Sequence, residues 1–281
     1  MHFTRTRIAG AVAAASLIIP AAALAATITG GPGSELLRGT SSADTIKGNG
    51  GNDRIRGLGG DDSLNGGSGN DRVFGHSGND AISGVAGNDW LNGGSGDDTV
   101  TGDINAFGDV TSFDRIFGAS GNDTLKGGDS ADRIYGGTGN DTSFGEDGND
   151  RMAGGNGDDG QDGGPGNDTI FANRGTDVSI GGDGNDTLWA LARADVASPG
   201  GDTLDGGNGD DVFRTRDGEA DTITCGPGND VAFADAVDVI ADATPDNLNG
   251  SCEVVHRKAP KTGDTRKEDA QETPSGERVT R

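Results

Sequence analysis

The sequence predicts an all-β solenoid, in which short strands alternate with tight turns and each coil packs on the next. A nine-residue phrase returns along most of the 281 residues, and 54 residues are glycine while only 31% are hydrophobic. An ordinary single-core globule is not expected at that composition. A fixed period indicates a repeat architecture, whose units bury their apolar residues only by stacking.

The repeated phrase itself predicts where its residues lie. It is clearest at residues 66–74, which read G-G-S-G-N-D-R-V-F. Its first six positions are mainly Gly, Asn and Asp, which tolerate positive φ and form tight turns. Its last three positions place an apolar residue between two mostly polar ones. Because neighbours in a strand point to opposite faces, position 8 is predicted to face inward and positions 7 and 9 outward.

This phrase resembles the calcium-binding nonapeptide of RTX (repeats-in-toxin) proteins, the haemolysin-type repeat G-G-x-G-x-D-x-U-x, in which U is a large apolar residue. The resemblance covers residues 30–233. It implies a secreted bacterial protein with a right-handed parallel β-roll, two repeats per coil, and turns stacked in two columns. It also implies several bound Ca²⁺ ions between the turns.

The chemistry of the turns agrees with that metal. Carboxylates stacked at each sixth position repel one another unless cations lie between them. Carboxylate and carbonyl oxygens in flexible glycine loops suit Ca²⁺ better than Mg²⁺. The chain has only 3 His and 2 Cys, so softer metals are not expected.

The first 25 residues have the pattern of a secretory signal peptide. Arg5 and Arg7 form a basic start, an apolar stretch follows, and Ala25 ends an A-x-A motif, so cleavage is predicted between Ala25 and Ala26. A membrane anchor is the alternative, disfavoured because the stretch is alanine-rich and interrupted by proline. No later stretch is long and apolar enough to span a bilayer, so no membrane span is expected after cleavage.

The predicted roll occupies residues 26–233 and begins with a strand at residues 27–29. Eight uninterrupted units run over residues 30–101 and eight more over residues 118–189. Inserts near residues 102–113 and 190–199 are predicted to bulge as loops from a continuous stack. The predicted metal ligands are the position-6 carboxylates Asp53, Asp62, Asp71, Asp80, Asp89, Asp98, Asp123, Asp132, Asp141, Asp150, Asp159, Asp168, Asp177, Asp186, Asp202 and Asp211.

Departures from the pattern predict local weaknesses. Glu35 replaces Asp in the first unit, and the turn before Asp44 lacks internal glycines, so weak or absent metal sites are expected at both. The inward position is polar at Ser143, Gln161 and Ser179, each one coil apart. A thinner core with lower local stability is expected there.

A ladder of arginine and aromatic residues is predicted on one outer surface, because residues i and i+2 of a strand share a face. It is either a docking face for a glycan, an anionic polymer or a protein, or a place where arginine packs over rings by cation–π contact. The ladder comprises Arg115, Arg133, Arg151, Phe117, Tyr135, Phe171 and Trp189.

The end of the chain predicts a cap and a tail. Cys225 and Cys252 are the only cysteines, and an exported chain with two cysteines favours one disulfide. Residues 234–256 are predicted to cap the exposed end of the roll, tied down by that bridge. Residues 257–281 are polar and aromatic-free, as is typical of a disordered tail.

The repeats leave no room for a catalytic domain, and neither H-E-x-x-H nor G-x-S-x-G occurs. We therefore expect no enzymatic activity and no catalytic residue. The acidic charge argues against nucleic acid as a partner. Ice binding, which some similar rolls perform with repeated G-T-G-N-D, is disfavoured because that phrase occurs once, at residues 137–141.

Two function classes stay open. The first is a secreted protein that folds when it binds multiple Ca²⁺ ions and is otherwise an acidic disordered chain. The formal charge of −24 supports it, because each Ca²⁺ offsets two charges, and extracellular calcium modules work near ~10⁻⁴ to 10⁻³ M. The second is a calcium-rigidified adhesin that uses the arginine and aromatic ladder to bind a cell-surface glycan or protein.

Overall fold

The computed structural model describes residues 24–103, 112–190, 201–241, 243 and 250–258, together with the backbone of residues 6–8. Regular structure in these ranges is entirely β. None of these residues belongs to a helix long and apolar enough to cross a membrane. The chain divides into two compact units, residues 1–148 and residues 149–281. The predicted inserts and the predicted tail lie largely outside the described residues.

The first unit contains fourteen strands, numbered in chain order. They are β1 (Thr6–Ile8), β2 (Thr27–Thr29), β3 (Leu36–Arg38), β4 (Thr45–Gly50), β5 (Arg54–Gly59), β6 (Ser63–Ser68), β7 (Arg72–Ser77), β8 (Ala81–Ala86), β9 (Trp90–Ser95), β10 (Thr99–Asp103), β11 (Arg115–Ser120), β12 (Thr124–Asp129), β13 (Arg133–Thr138) and β14 (Thr142–Asp147). The predicted strand at residues 27–29 is present, but β1 precedes it and pairs with it in parallel.

Within this unit, β2 to β12 each pair in parallel with the strand two further along the chain, whereas β1 pairs with β2. The orders are β1-β2-β4-β6-β8-β10-β12-β14 in one sheet and β3-β5-β7-β9-β11-β13 in the other. Arg54 pairs with Arg72, an offset of one coil of two nonapeptides. The insert near residues 102–113 does not disturb this pairing, because Val100 before it pairs with Leu125 after it. The predicted parallel β-roll is confirmed.

The inward positions form the core of the first unit, as the two-residue period of a strand requires. Each is buried between the two sheets: Leu37, Ile46, Ile55, Leu64, Val73, Ile82, Leu91, Val100, Ile116, Leu125 and Ile134. Ser143 takes the same place and is also buried. The coils require glycine at some positions where φ is positive. At Gly94, near the end of β9, a Cβ would overlap the backbone of His76 one coil away.

The second unit contains eleven strands. They are β15 (Arg151–Asn156), β16 (Gly160–Pro165), β17 (Thr169–Arg174), β18 (Val178–Asp183), β19 (Thr187–Trp189), β20 (Thr203–Asn208), β21 (Val212–Thr215), β22 (Thr222–Thr224), β23 (Val231–Ala234), β24 (Val239–Ile240) and β25 (Val254–Arg257). The orders are β16-β18-β20-β22-β24 and β15-β17-β19-β21-β23-β25. Strands β24 and β25, in the predicted cap, pair in the same parallel manner as the repeats.

The end of the second unit contains a cluster of buried apolar residues. Its buried residues are Leu188, Ala190, Leu204, Phe213, Ile223, Cys225, Ala232, Ala234, Ile240 and Cys252. The predicted disulfide is confirmed, because Cys225 and Cys252 are bonded, and both lie within this core. The bridge joins Cys225, just after β22, to Cys252, just before β25. The final coil is therefore held covalently as well as by packing.

Candidate metal centre

Two columns of buried carboxylates follow the turns of each unit. In the first unit one column contains Glu35, Asp53, Asp71, Asp89, Asp114 and Asp132, and the other contains Asp44, Asp62, Asp80, Asp98, Asp123 and Asp141. In the second unit the columns contain Asp150, Asp168, Asp186, Asp211 and Asp230, and Asp159, Asp177, Asp202, Asp221 and Asp238. Every aspartate of the four columns is at most 5% exposed. Each of these acids occupies the turn that leads into a strand.

One oxygen of each carboxylate holds neighbouring coils together. The backbone N–H of Asp53 donates to Oδ1 of Asp71 at 2.7 Å, and that of Asp71 donates to Oδ1 of Asp89. The same bond is kept across the insert near residues 102–113, where the N–H of Asp89 donates to Oδ1 of Asp114 at 2.7 Å. Such hydrogen bonds to an ionised group are stronger than neutral ones. The ladder therefore needs an acceptor at every sixth position.

The other carboxylate oxygen has no hydrogen-bond donor within the described part of the chain, although it is fully buried. A buried polar atom without a partner costs free energy, and a buried charge costs more. This holds for Oδ2 of Asp53, Asp62, Asp71, Asp80, Asp89, Asp98, Asp114, Asp123, Asp168, Asp177, Asp186, Asp211, Asp221 and Asp230.

Beside many of these oxygens a main-chain carbonyl lies across the space over the first glycine of the repeat. A Cβ built on Gly48 would overlap both Oδ2 of Asp53 and the carbonyl oxygen of Gly66. The same is true at Gly66, where the Cβ would meet Oδ2 of Asp71 and, at 2.9 Å, the carbonyl of Gly84. Glycine at position 1 thus leaves a cradle lined by carboxylate and carbonyl oxygens of successive coils.

The protein environment opposes ionisation of these acids. Burial, which outweighs the backbone hydrogen bond to Oδ1, raises the pKa of Asp71 from 3.8 to about 6 and that of Asp62 to about 7. Burial and the neighbouring carboxylates raise the pKa of Asp89 and of Asp177 to about 9. Without a cation the columns are therefore unstable in their charged form near neutral pH.

These features fit a hard divalent cation. The donors are carboxylate and carbonyl oxygens, which Ca²⁺ prefers, and the unpartnered Oδ2 atoms supply the negative charge. Within the described ranges, no group of three or more His, Cys, Asp or Glu side chains is placed to hold a metal. Each site therefore combines single carboxylates with main-chain oxygens. Asp53 and Asp71, with the Gly66 and Gly84 carbonyls, would hold such an ion.

The first acids of the columns differ from the interior ones. Both oxygens of Asp44 are occupied, since Oδ1 accepts from Ala26 N and Oδ2 accepts from Thr40 N, each at 2.5 Å. Asp44 therefore has no carboxylate oxygen without a hydrogen-bond donor. The weak metal site expected there stays a prediction. Glu35 instead keeps an unpartnered buried Oε2.

The last acids close the ladders. Oδ1 of Asp238 accepts from Asp221 N at 3.3 Å, and its Oδ2 accepts from the Thr215 hydroxyl at 2.7 Å. In the other column, Oε2 of Glu253 accepts from Asp230 N at 2.6 Å. The final coil thus satisfies the end of each column with side chains of the predicted cap.

All sixteen predicted metal ligands lie in the carboxylate columns. Asp114, Asp221 and Asp230 occupy equivalent places but were not among them. Each accepts the ladder hydrogen bond and keeps an unpartnered Oδ2. Their irregular spacing kept them out of the predicted set, although Ile116, Ile223 and Ala232 two residues later mark the inward position of the same pattern.

The predicted arginine and aromatic ladder is present in each unit as packed side chains. In the first unit Arg115 and Arg133 are register neighbours, as are Phe117 and Tyr135. Both guanidinium groups lie over the ring of Phe113, at 4.7 and 5.2 Å from its centroid. Cation–π contact of this kind is the structural alternative that the sequence left open.

In the second unit the ladder is more deeply packed. Arg151 lies 4.3 Å from the centroid of Phe171, which stacks on Trp189 at 5.8 Å. Phe171 is only 3% exposed, although position 9 was predicted to face outward into solvent. The parity of the strand is as predicted, but neighbouring side chains cover the ring.

Sequence comparison matches the RTX calcium-binding nonapeptide repeat to residues 29–64, 48–82, 74–105, 111–143, 144–160, 162–189 and 196–232. No curated protein matches the chain. The matched ranges cover more than half of the chain and follow the coils that carry the carboxylate columns. The chain belongs to the family of RTX calcium-binding nonapeptide repeat proteins.

Proposed function

We propose that this protein is a calcium-dependent folding module, whose coils assemble when Ca²⁺ enters the carboxylate columns. The observation that supports it is the row of buried Oδ2 atoms without donors. Their charge is offset by a cation or by protonation, and binding of the cation then contributes directly to folding. Ca²⁺ neutralises the columns, and Asp71 and its equivalents hold it while their Oδ1 atoms keep the coils in register.

Far-UV circular dichroism of the chain, titrated with Ca²⁺ and then with EDTA, tests this proposal. We expect a cooperative, reversible gain of β signal at ~10⁻⁴ to 10⁻³ M Ca²⁺. Mg²⁺ is the control, because it demands regular octahedral geometry and sheds water reluctantly, so it should produce little change. A β-rich spectrum that EDTA leaves unaltered would show that packing and the disulfide suffice and would overturn the proposal.

Secretion is part of the same proposal. The signal-peptide pattern and the Cys225–Cys252 disulfide support an oxidising, calcium-rich destination. Cleavage before Ala26 would also convert its backbone N–H, 2.5 Å from Oδ1 of Asp44, into an ammonium group beside a carboxylate. Mass spectrometry of exported protein should therefore find Ala26 at the N-terminus; retention of residues 1–25 in exported protein would contradict this.

An interaction module is the second candidate, using the seven residues of the predicted ladder. The contact between the Arg151 guanidinium and the Phe171 ring supports a preformed, rigid binding surface. The same contact is also consistent with residues that serve packing alone. Replacing Tyr135 and Trp189 with Ser should abolish pull-down of envelope material while calcium-induced β signal persists. Unchanged pull-down would reject this use of the ladder.

A further inference from the structure

The outer face of β3, β5, β7, β9, β11 and β13 in the first unit concentrates positive charge. We call it the arginine face, defined by Arg38, Arg54, Arg56, Arg72, Arg115 and Arg133. Register places Arg54 beside Arg72, and Arg38 beside Arg56, on adjacent strands. Guanidinium groups therefore lie in pairs on adjacent strands, at about the 4.8 Å spacing of paired strands.

Among the described residues of the six strands, no acidic side chain shares this face. Positions 7 and 9 of the six strands carry arginine, aromatic, leucine or asparagine residues only. Among the described residues, the ion pair formed by Lys126 and Glu146 belongs to the opposite sheet. A chain of net charge −24 thus keeps a cationic surface separate from its acidic turns.

The arginines of the first coils are open to solvent. Arg38, Arg54 and Arg72 are exposed, and Arg56 is half-buried. Their field reaches His76 on the same face: burial first, and then the charges of Arg56 and Arg38, lower the pKa of that imidazole. Each guanidinium offers a planar fork of donors that matches an oxyanion.

The aromatic rings between the arginines already contact one another. Trp90 stacks on Phe117 at 5.3 Å, and Phe74 stacks on His76 at 6.0 Å. Arg54 lies 5.8 Å from the centroid of Phe74. Each of these rings therefore already has a stacking neighbour, and together the rings form an apolar ridge beside the guanidinium groups.

The dimensions of the face favour a single extended polymer chain. Three outward positions span roughly 13 Å along a strand, and six strands span roughly 24 Å across the sheet. The turns along one border carry the exposed carboxylates Asp61 and Asp97. A broad polyanion would meet that acidic border, whereas a narrow chain that runs across the strands would meet arginine and uncharged side chains but no carboxylate of these strands.

We propose that the arginine face binds an acidic polysaccharide whose sugar rings bear carboxylates, such as a polyuronate. Its carboxylates pair with successive guanidinium groups, and its rings lie along the edges of Phe74 and Trp90. The proposal rests on the calcium-dependent fold, because only the assembled coils align the arginines. Single-stranded nucleic acid fits less well, since it relies on aromatic rings that are free for base stacking and these rings already stack on neighbouring side chains.

The test measures binding of a fluorescent oligogalacturonate, long enough to cross the face, to the full chain in saturating Ca²⁺. The variant R54Q/R72Q removes two exposed guanidinium groups of adjacent strands. The matched control K47Q/K126Q removes two charges from the outer face of the opposite sheet. Circular dichroism in Ca²⁺ checks each protein first, so that failure to fold is distinguished from failure to bind.

We expect the wild type to bind oligogalacturonate but not neutral dextran. R54Q/R72Q should bind at least about tenfold more weakly, because each charge-assisted hydrogen bond contributes that much affinity or more. K47Q/K126Q should bind within about twofold of wild type, since its charges lie elsewhere. Equal losses in the two variants, or binding only to oligothymidylate or to anionic phospholipid vesicles, would overturn the proposal.

Discussion

The backbone N–H of Asp53 donates to Oδ1 of Asp71 across one coil, while Oδ2 of Asp71 is buried without a donor. One side chain thus performs two tasks. Its first oxygen joins coils through the main chain, and its second holds charge that the protein leaves unbalanced. Because the two atoms belong to one carboxylate, an ionised aspartate that keeps the ladder also keeps a buried charge, which a cation or a proton must offset.

Asp71→Asn should therefore change stability in opposite directions with and without calcium. In EDTA the amide removes a buried charge and can donate to the Gly84 carbonyl beside Oδ2, so the metal-free fold should gain about 1–2 kcal/mol. In saturating Ca²⁺ the variant should bind fewer ions and melt at lower temperature. Thermal unfolding under both conditions, with calorimetric ion counting, measures this.

Asp44→Asn is the matched control for that experiment. Both oxygens of Asp44 accept from N–H donors, so an amide nitrogen would face a donor in either orientation. We expect destabilisation of about 1–3 kcal/mol with or without calcium. A gain of stability for Asp44→Asn in EDTA, equal to that of Asp71→Asn, would contradict the distinction between the first acid and the interior acids.

Acidification should fold the chain in the absence of calcium. The folded pKa values of Asp53 and Asp71, about 6, and of Asp62 and Asp98, about 7, exceed the ordinary 3.8. The folded state therefore binds more protons than the unfolded state. The stability that protonation of these carboxylates contributes is fully present below pH 3.8. It is lost as the pH rises through about 6 to 7, and through about 9 at Asp89.

Circular dichroism in EDTA between pH 4 and pH 9 measures this dependence. The β signal should be larger at pH 4 and should decline toward pH 7. With saturating Ca²⁺ the decline should be absent, because the cation takes the place of the protons. A metal-free chain that loses β signal on acidification would show that these carboxylates do not govern the fold.

Backbone strain at the second position of the repeat gives a pair of opposite substitutions. Gly94→Ala should destabilise by about 1–3 kcal/mol, because φ is +121° and the new Cβ would overlap the His76 backbone. Val85→Gly should stabilise by about 1 kcal/mol, because valine there has φ of 93°. Urea unfolding in Ca²⁺ compares them; a stabilising Gly94→Ala would refute the assignment of strain.

The disulfide should stabilise the end of the second unit. Replacing Cys225 and Cys252 with Ala opens a bridge across a separation of 27 residues and should cost about 3 kcal/mol, on the chain-entropy account. Urea unfolding in Ca²⁺ should show the loss, and reduction of the wild type should reproduce it. Ser251→Ala, which removes an acceptor for Cys225 N but keeps the bridge, should cost less; equal losses would assign the effect to packing.

Two buried serines in the core should respond differently to Ala. Oγ of Ser143 has no partner, so Ser143→Ala should stabilise by about 1 kcal/mol. Ser179 instead shares a 3.2 Å hydrogen bond with the Gln161 side chain, whose amide also reaches the Phe171 carbonyl and Gly154 N. Ser179→Ala should therefore destabilise. Thermal unfolding in Ca²⁺ measures both, and the same sign for both would contradict this account.

The sequence by itself determined the period, the strand parity and the chemistry of the turns. Nine-residue spacing placed Ile55 and Val73 inward and Asp53 and Asp71 in the turns, because a two-residue alternation and a glycine-rich turn leave one arrangement that buries apolar residues. The oxygen-rich turns predicted the metal class and the count of two cysteines predicted the single disulfide, while the parallel roll was implied by the resemblance to RTX repeats. These features depend on residues close together in the chain or on counts that composition fixes.

Only the tertiary structure decided what depends on neighbouring coils. In the stacked coils, the Oδ1 atom of Asp71 accepts the ladder hydrogen bond and its Oδ2 atom has no donor among the described residues. Both oxygens of Asp44, in contrast, accept hydrogen bonds. It also brings Asp114 into the column despite seven additional residues, and it buries Phe171 beneath Arg151. The ladder bonds of Asp71 and Asp114 join residues 18 and 25 positions apart, so they depend on how the coils stack and not on the neighbouring sequence.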